Sequence, residues 1–122
     1  MNNTIVWFEL PVKDFAGAKK FYETVLSINI HEDEMGGAKM GFFPTEGEGA
    51  SGAICQGEGY EPSANGTMIY LNCGDDLQPT QDKIESAGGK ILVPKSMITE
   101  EIGYFCIFLD TEGNRVALWS QN

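Results

Sequence analysis

Basic residues are scarce in this sequence: 8 Lys and Arg stand against 18 Asp and Glu, for a formal charge of -10. No stretch gathers the Lys and Arg that a phosphate backbone requires, so nucleic acid and anionic membranes are excluded as expected partners. Long apolar runs are also missing. No window reaches the roughly 18 apolar residues of a spanning helix. The opening MNNTIVWFEL has no basic segment ahead of an apolar stretch. The expectation is a cytoplasmic protein. Cysteine is limited to Cys55, Cys73 and Cys106, widely spaced and without a CxxC pair. That excludes a disulfide scaffold or a structural zinc site and predicts free thiols. Histidine occurs once, as His31 in the polar run HEDEM. Adjacent strand residues point to opposite faces, so HEDEM reads as a solvated acidic edge and His31 as incidental.

What is present is a globular composition, with 42% hydrophobic residues in 122. Residues 4 to 10, TIVWFEL, are apolar, β-branched and aromatic, which predicts a strand. Asp14 can cap a helix whose apolar stripe is Phe15, Ala18, Phe21, Tyr22, Val25 and Leu26. Strands are predicted over residues 28 to 34, 38 to 43 and 51 to 56, separated by Gly36-Gly37 and by the glycine-rich TEGEGA. Gly47, Gly49 and Gly52 form no phosphate loop, because no Lys-Ser/Thr follows and no helix begins there. After the loop of residues 57 to 66 the order repeats. A strand is expected over 67 to 73, then a helix capped by Asp75 or Asp76 and running to Ala87, ended by Gly88-Gly89. A strand over 90 to 93 should stop at Pro94. Strands over 103 to 109 and 114 to 120 are joined by the turn D-T-E-G-N.

The order β-α-β-β-β thus occurs twice, in modules of about residues 1–60 and 61–122. The expected architecture is α+β: tandem βαβββ modules in one domain over 1–122, with two curved four-stranded mixed sheets enclosing a cavity.

The stretches ELPVKDFAGAKKFYETVLSI and GYFCIFLDTEGNRVALW, within this repeated order, resemble the vicinal oxygen chelate superfamily. That group includes glyoxalase I, extradiol dioxygenases and the fosfomycin- and bleomycin-resistance proteins. Asp14, Ala18, Phe21, Tyr22 and Leu26 match its helix signature, with Ser27 where glycine is usual. Phe108, Asp110, Gly113, Asn114, Leu118 and Trp119 match its ending, with Thr111 in place of the common proline. MGGAKMGFFP and GEGYEP resemble small bacterial glyoxalase-like members. The resemblance implies a homodimer and, in metal-using relatives, cation ligands on the first, fourth, fifth and eighth strands.

Carried onto this chain, three of those positions fall at Trp7, at or beside Ile69, and at Ala117; a one-residue slip at the third offers only Met68 or Tyr70. The fourth-strand position lies somewhere in 51 to 56. A hard cation needs carboxylate or imidazole donors, so no metal and no cofactor are expected. By strand alternation, Trp7 shares its face with Glu9, and Ala117 shares its face with Arg115 and Trp119. These residues, with Ile69, are the expected lining of an apolar, aromatic cavity, and Tyr60 is a candidate flap over its mouth. Glu9 needs a partner in such surroundings; Arg115 could be that mate or could hold an anionic ligand. Glu9 is also the candidate general base. Two functions follow as expectations. The first is a metal-independent protein binding a small organic ligand. The alternative is a glyoxalase-like lyase or isomerase of the lactoylglutathione lyase type, or another enzyme of the superfamily with non-standard ligands.

Overall fold

The computed structural model describes residues 4–47 and 49–122, so Glu48 of the TEGEGA turn and the first three residues lie outside the described part. The first module contains β1 (Trp7–Pro11), α1 (Phe15–Leu26), β2 (His31–Met35), β3 (Ala38–Phe42) and β4 (Ser51–Gln56). The second contains β5 (Tyr70–Asn72), α2 (Gln78–Ile84), β6 (Lys90–Thr99), β7 (Gly103–Leu109) and β8 (Arg115–Ser120). Each module builds one four-stranded sheet, in the orders β1-β4-β3-β2 and β5-β8-β7-β6. β1 runs parallel to β4 and β5 parallel to β8, while the remaining pairs are antiparallel. The expected duplication into two mixed sheets is therefore present.

The helix stripe read from the sequence is the buried stripe: Phe15, Ala18, Phe21, Tyr22 and Val25 all face inward. Asp14 caps α1 by accepting the Gly17 amide at 3.1 Å. At the other end Ser27 adopts a left-handed conformation, φ 55°, where glycine carries no steric cost. One core joins Leu10, Phe21 and Ile54 of the first module to Ile84, Phe108 and Leu118 of the second.

Two elements depart from the sequence expectation. The strand expected to stop at Pro94 continues to Thr99. β6 is the outer strand of its sheet, and its register shifts between Val93 and Ser96. A proline without an amide hydrogen is accommodated at such a bulge on an edge. α2 ends at Ile84 rather than Ala87, although the Ala87 amide still reaches the Lys83 carbonyl at 3.1 Å. Its first turn is served by Asp76, whose carboxylate accepts the Gln78 amide at 3.0 Å.

A buried polar cluster ties the modules together. Tyr22 on α1 donates its hydroxyl to Asp110 at 2.6 Å. Asp110 also accepts the amides of Glu112 and Asn114, both at 2.9 Å. The Asn114 side chain donates to the Pro11 carbonyl at 2.7 Å and accepts the Ser63 amide at 3.1 Å. The Glu112 carboxylate receives the Lys13 and Asp14 amides. The D-T-E-G-N turn of the second module is thus bolted to the end of β1, the start of α1 and the intermodule loop. Burial, and then the Asp110 charge, hold the Tyr22 hydroxyl well above its usual pKa.

Candidate functional site

Side chains alternate along β1. Leu10 and Phe8 turn toward the core beneath α1, so Trp7 and Glu9 take the outer face, where both are exposed. Pairing carries this face across the whole sheet. Glu9 stands opposite Ala53, Ala53 opposite Phe42, and Phe42 opposite His31. Directly paired residues share a face, so one rung of the sheet reads Glu9, Ala53, Phe42, His31. The next holds Pro11, Cys55, Met40 and Asp33. The rings touch in series: Trp7 meets Phe42 at 5.9 Å between centroids, and His31 stacks on Phe42 at 6.3 Å with 23° between planes.

Tyr60, in the loop of residues 57 to 66, folds onto this face and packs against the small cluster of Met40, Ala53 and Cys55. Its hydroxyl donates to Glu9 Oε1 at 2.9 Å. Just after Tyr60 the loop is held by the Lys13–Glu61 ion pair at 2.8 Å and the Ser63–Asn114 bond. The hydrogen bond to Glu9 pushes the Tyr60 hydroxyl up to about 12. Burial, and then the Glu9 charge, push the Cys55 thiol up to about 12 as well, so Cys55 is protonated and poorly nucleophilic at neutral pH.

Between β1 and β5, one strand from each sheet, lies a cleft of 940 Å³. Ile5 and residues 7 to 10 form one wall, with side chains from both faces of β1; residues 67 to 73 form the other; Leu26, Phe43 and Pro44 contribute apolar surface. Glu9 is its one formally charged lining residue among the described residues. Trp7 remains 43% exposed and Tyr70 52%, so both rings present open faces.

The predicted lining residues divide. Trp7, Glu9 and Ile69 border the cleft, with Tyr60 bonded to Glu9. Ala117, Arg115 and Trp119 sit on β8 and do not border it. Ala117 is fully buried. Trp119 is half-buried and donates its indole N–H to the Ile102 carbonyl at 2.8 Å. Arg115 is exposed, and the ion pairs of the described residues do not include it. Tyr60, not Arg115, is therefore the partner of Glu9. At the third position, expected at or beside Ile69, the one-residue slip applies. Ile69 packs against the main core, and Tyr70 is the residue opposite Ala117. The strand phase is one residue from the count that pointed to Ile69, which places Met68 and Tyr70 on the outer face.

A divalent cation of the kind used by metal-dependent relatives needs several hard donors around one point. The residues at the corresponding places are Trp7, Met68 or Tyr70, and Ala117, and the fourth strand presents Ser51, Ala53 and Cys55 on the matching face. The Ser51 hydroxyl is already donated to the Phe43 carbonyl at 3.2 Å. Among the described residues, no three His, Cys, Asp or Glu side chains converge. This donor set does not fit such a cation.

Phe42 was not singled out from the sequence, Cys55 was read only as a free thiol, Tyr70 only as the slip alternative to Ile69, and His31 was set aside. One signal was available. The two-residue Gly36-Gly37 turn pairs Met35 with Ala38, and that register alone brings His31 to Phe42. The relation of β3 to β4 and β1 spans a longer loop and had no comparable local signal.

Comparison with known proteins agrees with this architecture. A glyoxylase-like domain-containing protein from Didymella fabae is 28% identical over 123 residues, covering 97% of this chain and 94% of its own. TnmS3, an antibiotic binding protein from Streptomyces sp. CB03234, superposes with a TM-score of 0.71 at 21% identity, covering 100% of this chain and 99% of the other. A glyoxalase I variant from Zea mays superposes with a TM-score of 0.68 at 18% identity over 95% of this chain, which spans 45% of the maize protein. At these identities the structural likenesses establish the fold. The sequence profile of one family matches residues 4–118. The chain belongs to the glyoxalase/bleomycin resistance protein/dioxygenase superfamily.

Proposed function

We propose that this protein, a single domain over residues 1–122, binds a small organic ligand without a metal, in the cleft between β1 and β5. The observation that carries the reading is the chemistry of that 940 Å³ space: open aromatic faces at Trp7 and Tyr70, apolar walls, and one carboxylate at Glu9. Binding sites of this size are mostly apolar, with a few polar groups that orient the ligand. The antibiotic binding described for TnmS3, which shares the fold, supports a sequestering role. So does the poor fit of the donor set to a cation.

The partner in assembly is a second copy of the chain. Val6, Met97, Ile98 and Ile102 are exposed away from the cleft lining, and apolar groups of this size are covered in most stable proteins. The proposed compartment is the cytoplasm. Among the described residues, no helix is long and apolar enough to cross a membrane.

A second reading rests on the Glu9–Tyr60 hydrogen bond. A carboxylate beside a phenol could relay a proton in a lyase or isomerase reaction. Elemental analysis of protein purified without added metal or chelator separates the two. The binding reading expects no stoichiometric metal, together with a rise in melting temperature when a panel of metabolites includes a ligand. Stoichiometric nickel, zinc, iron or manganese that disappears in Glu9→Gln would refute it.

A further inference from the structure

We propose that the cleft also receives a protein partner by strand addition: an extended, apolar segment of another protein lies between β1 and β5 and hydrogen-bonds to both. The bonds come from main-chain groups that the small-molecule reading, which rests on side chains, leaves unused. β1 and β5 are each the outermost strand of their sheet, and the two edges border the cleft without pairing to one another.

The bonds each strand already makes fix which groups point into the gap. Along a strand, one residue directs its N–H and C=O to one neighbour, and the next directs both to the other side. Val12 donates to the Cys55 carbonyl at 2.9 Å, so Phe8 and Leu10, in phase with it, serve β4. Trp7, Glu9 and Pro11 face the other way. Pro11 fits this phase, because a proline is tolerated where its missing N–H falls on a free edge. Its carbonyl receives the Asn114 side chain from the second module at 2.7 Å. In β5 the Ile69 carbonyl accepts the Ala117 amide at 2.9 Å, and Cys73 donates to the Trp119 carbonyl at 2.7 Å. Leu71 therefore serves β8, while Tyr70 and Asn72 face away from it. Trp7, Glu9, Tyr70 and Asn72 all line the cleft. Among the described residues, their N–H and C=O groups have no partner.

Unpaired edges are ordinarily blunted by lysine, by proline or by a covering element. No lysine lines this cleft, and Pro11 blunts only the end that Asn114 already bridges. Two facing rows of alternating donors and acceptors are matched by another main chain. Side chains of an inserted strand alternate between its two faces. One set would meet Leu26, Ile28 and Phe43; the other would lie between the Trp7 and Tyr70 rings. Both environments select apolar or β-branched residues, and Glu9 opposes acidic ones.

The test uses a hexapeptide, Val-Thr-Val-Thr-Val-Thr, amidated at its end, labelled with fluorescein through an N-terminal glycine linker and followed by fluorescence anisotropy. A saturable rise is expected. N-methylation of the three valine amides and, separately, of the three threonine amides should each weaken binding about ten-fold or more, because one set faces β1 and the other β5. Glu9→Pro should bind the peptide about five-fold more weakly than Glu9→Gln, since it removes a cleft-facing N–H and spares the bonds to β4. If Glu9→Pro does not fold, as its urea midpoint will report, the methylated peptides decide alone. A loss confined to one methylated set means pairing with a single edge and overturns the placement between the two strands. Equal binding of all three peptides, or no binding of any, overturns strand addition. A metabolite that raises the melting temperature while the peptide fails leaves the small-molecule cleft standing; failure of both overturns both readings.

Discussion

Removing the Tyr22 hydroxyl should loosen the junction between the modules, and the structure gives the size of the effect. Tyr22→Phe deletes one oxygen and keeps the ring. Its edge contacts with Phe21 and Phe43, at 5.0 and 5.5 Å between centroids, survive. The loss is therefore the 2.6 Å hydrogen bond to Asp110. Both residues are buried, at 0% and 4% exposure, so water cannot replace the missing donor. A hydrogen bond to an ionised group contributes about 1.5–3 kcal/mol. Asp110 keeps three other donors, the amides of Glu112 and Asn114 and the Asn114 side chain. The middle of the range, about 2 kcal/mol, is the expected cost. For a chain of this length that lowers the melting temperature by roughly 8 °C.

Urea denaturation is the assay. The midpoint should fall without a change in slope, because the surface exposed on unfolding is the same. Asp110→Asn should cost more, roughly 3 kcal/mol or above. Its amide group can turn its N–H either toward the two backbone amides or toward the Asn114 side chain, and both choices set donor against donor. A double-mutant cycle should then recover a coupling of about 1–2 kcal/mol between the two positions. A Tyr22→Phe protein within about 0.5 kcal/mol of the parent would refute the idea that this cluster holds the modules together.

Three further outcomes are expected. Stability should be level up to about pH 9 and fall as pH rises from there toward 12, because the native state raises the proton affinity of Cys55, Cys106 and Tyr60 above their unfolded values. Cys55→Ala should flatten that fall in pH-dependent urea midpoints, and an unchanged slope would count against the assigned burial. Ser27→Gly should raise stability by roughly 0.5–1 kcal/mol, since it relieves a left-handed serine at the end of α1, measured by the same titration. Tyr60→Phe should leave the urea midpoint nearly unchanged, because the hydrogen bond it removes lies at the surface, and a large drop would count against that placement.

Legibility of the fold in the sequence followed from how local its causes are. The stripe of α1 is written at helical spacing, so Phe15, Ala18, Phe21, Tyr22 and Val25 could be assigned to the core without a neighbour in view. Pro94 misled because a proline stops a central strand but not an edge strand with a bulge, and edge status is a property of the sheet. The choice between Ile69 and its neighbours stayed open because of the length of a connection. α1 begins at the residue after Asp14, whereas α2 begins two residues after Asp76, and one additional residue reverses every side chain of a strand. Among site residues, Trp7, Glu9 and Tyr60 were legible from alternation and from their place in a loop of turn formers. The pairing of Glu9 with Tyr60 was not, because opposite charge made Arg115 the obvious mate while the sheets set the two residues apart.

The two modules repeat one architecture but fill it differently, and the contrast locates recognition in the first. The rung Glu9-Ala53-Phe42-His31 has its counterpart in Tyr70-Ala117-Ile107-Val93, built from strands in the same order. An alanine occupies the second place in both, and both are fully buried. In the first sheet its small side chain lets Tyr60 settle over the rung and reach Glu9. In the second, Ala117 is followed by Ile107 and Val93, and the counterpart of Glu9 is a tyrosine. Tyr70 is 52% exposed, so that place offers the cleft an open aromatic ring and no charge. Charge on the cleft is therefore confined to β1, while β5 supplies the apolar and aromatic wall against which the body of a ligand can lie.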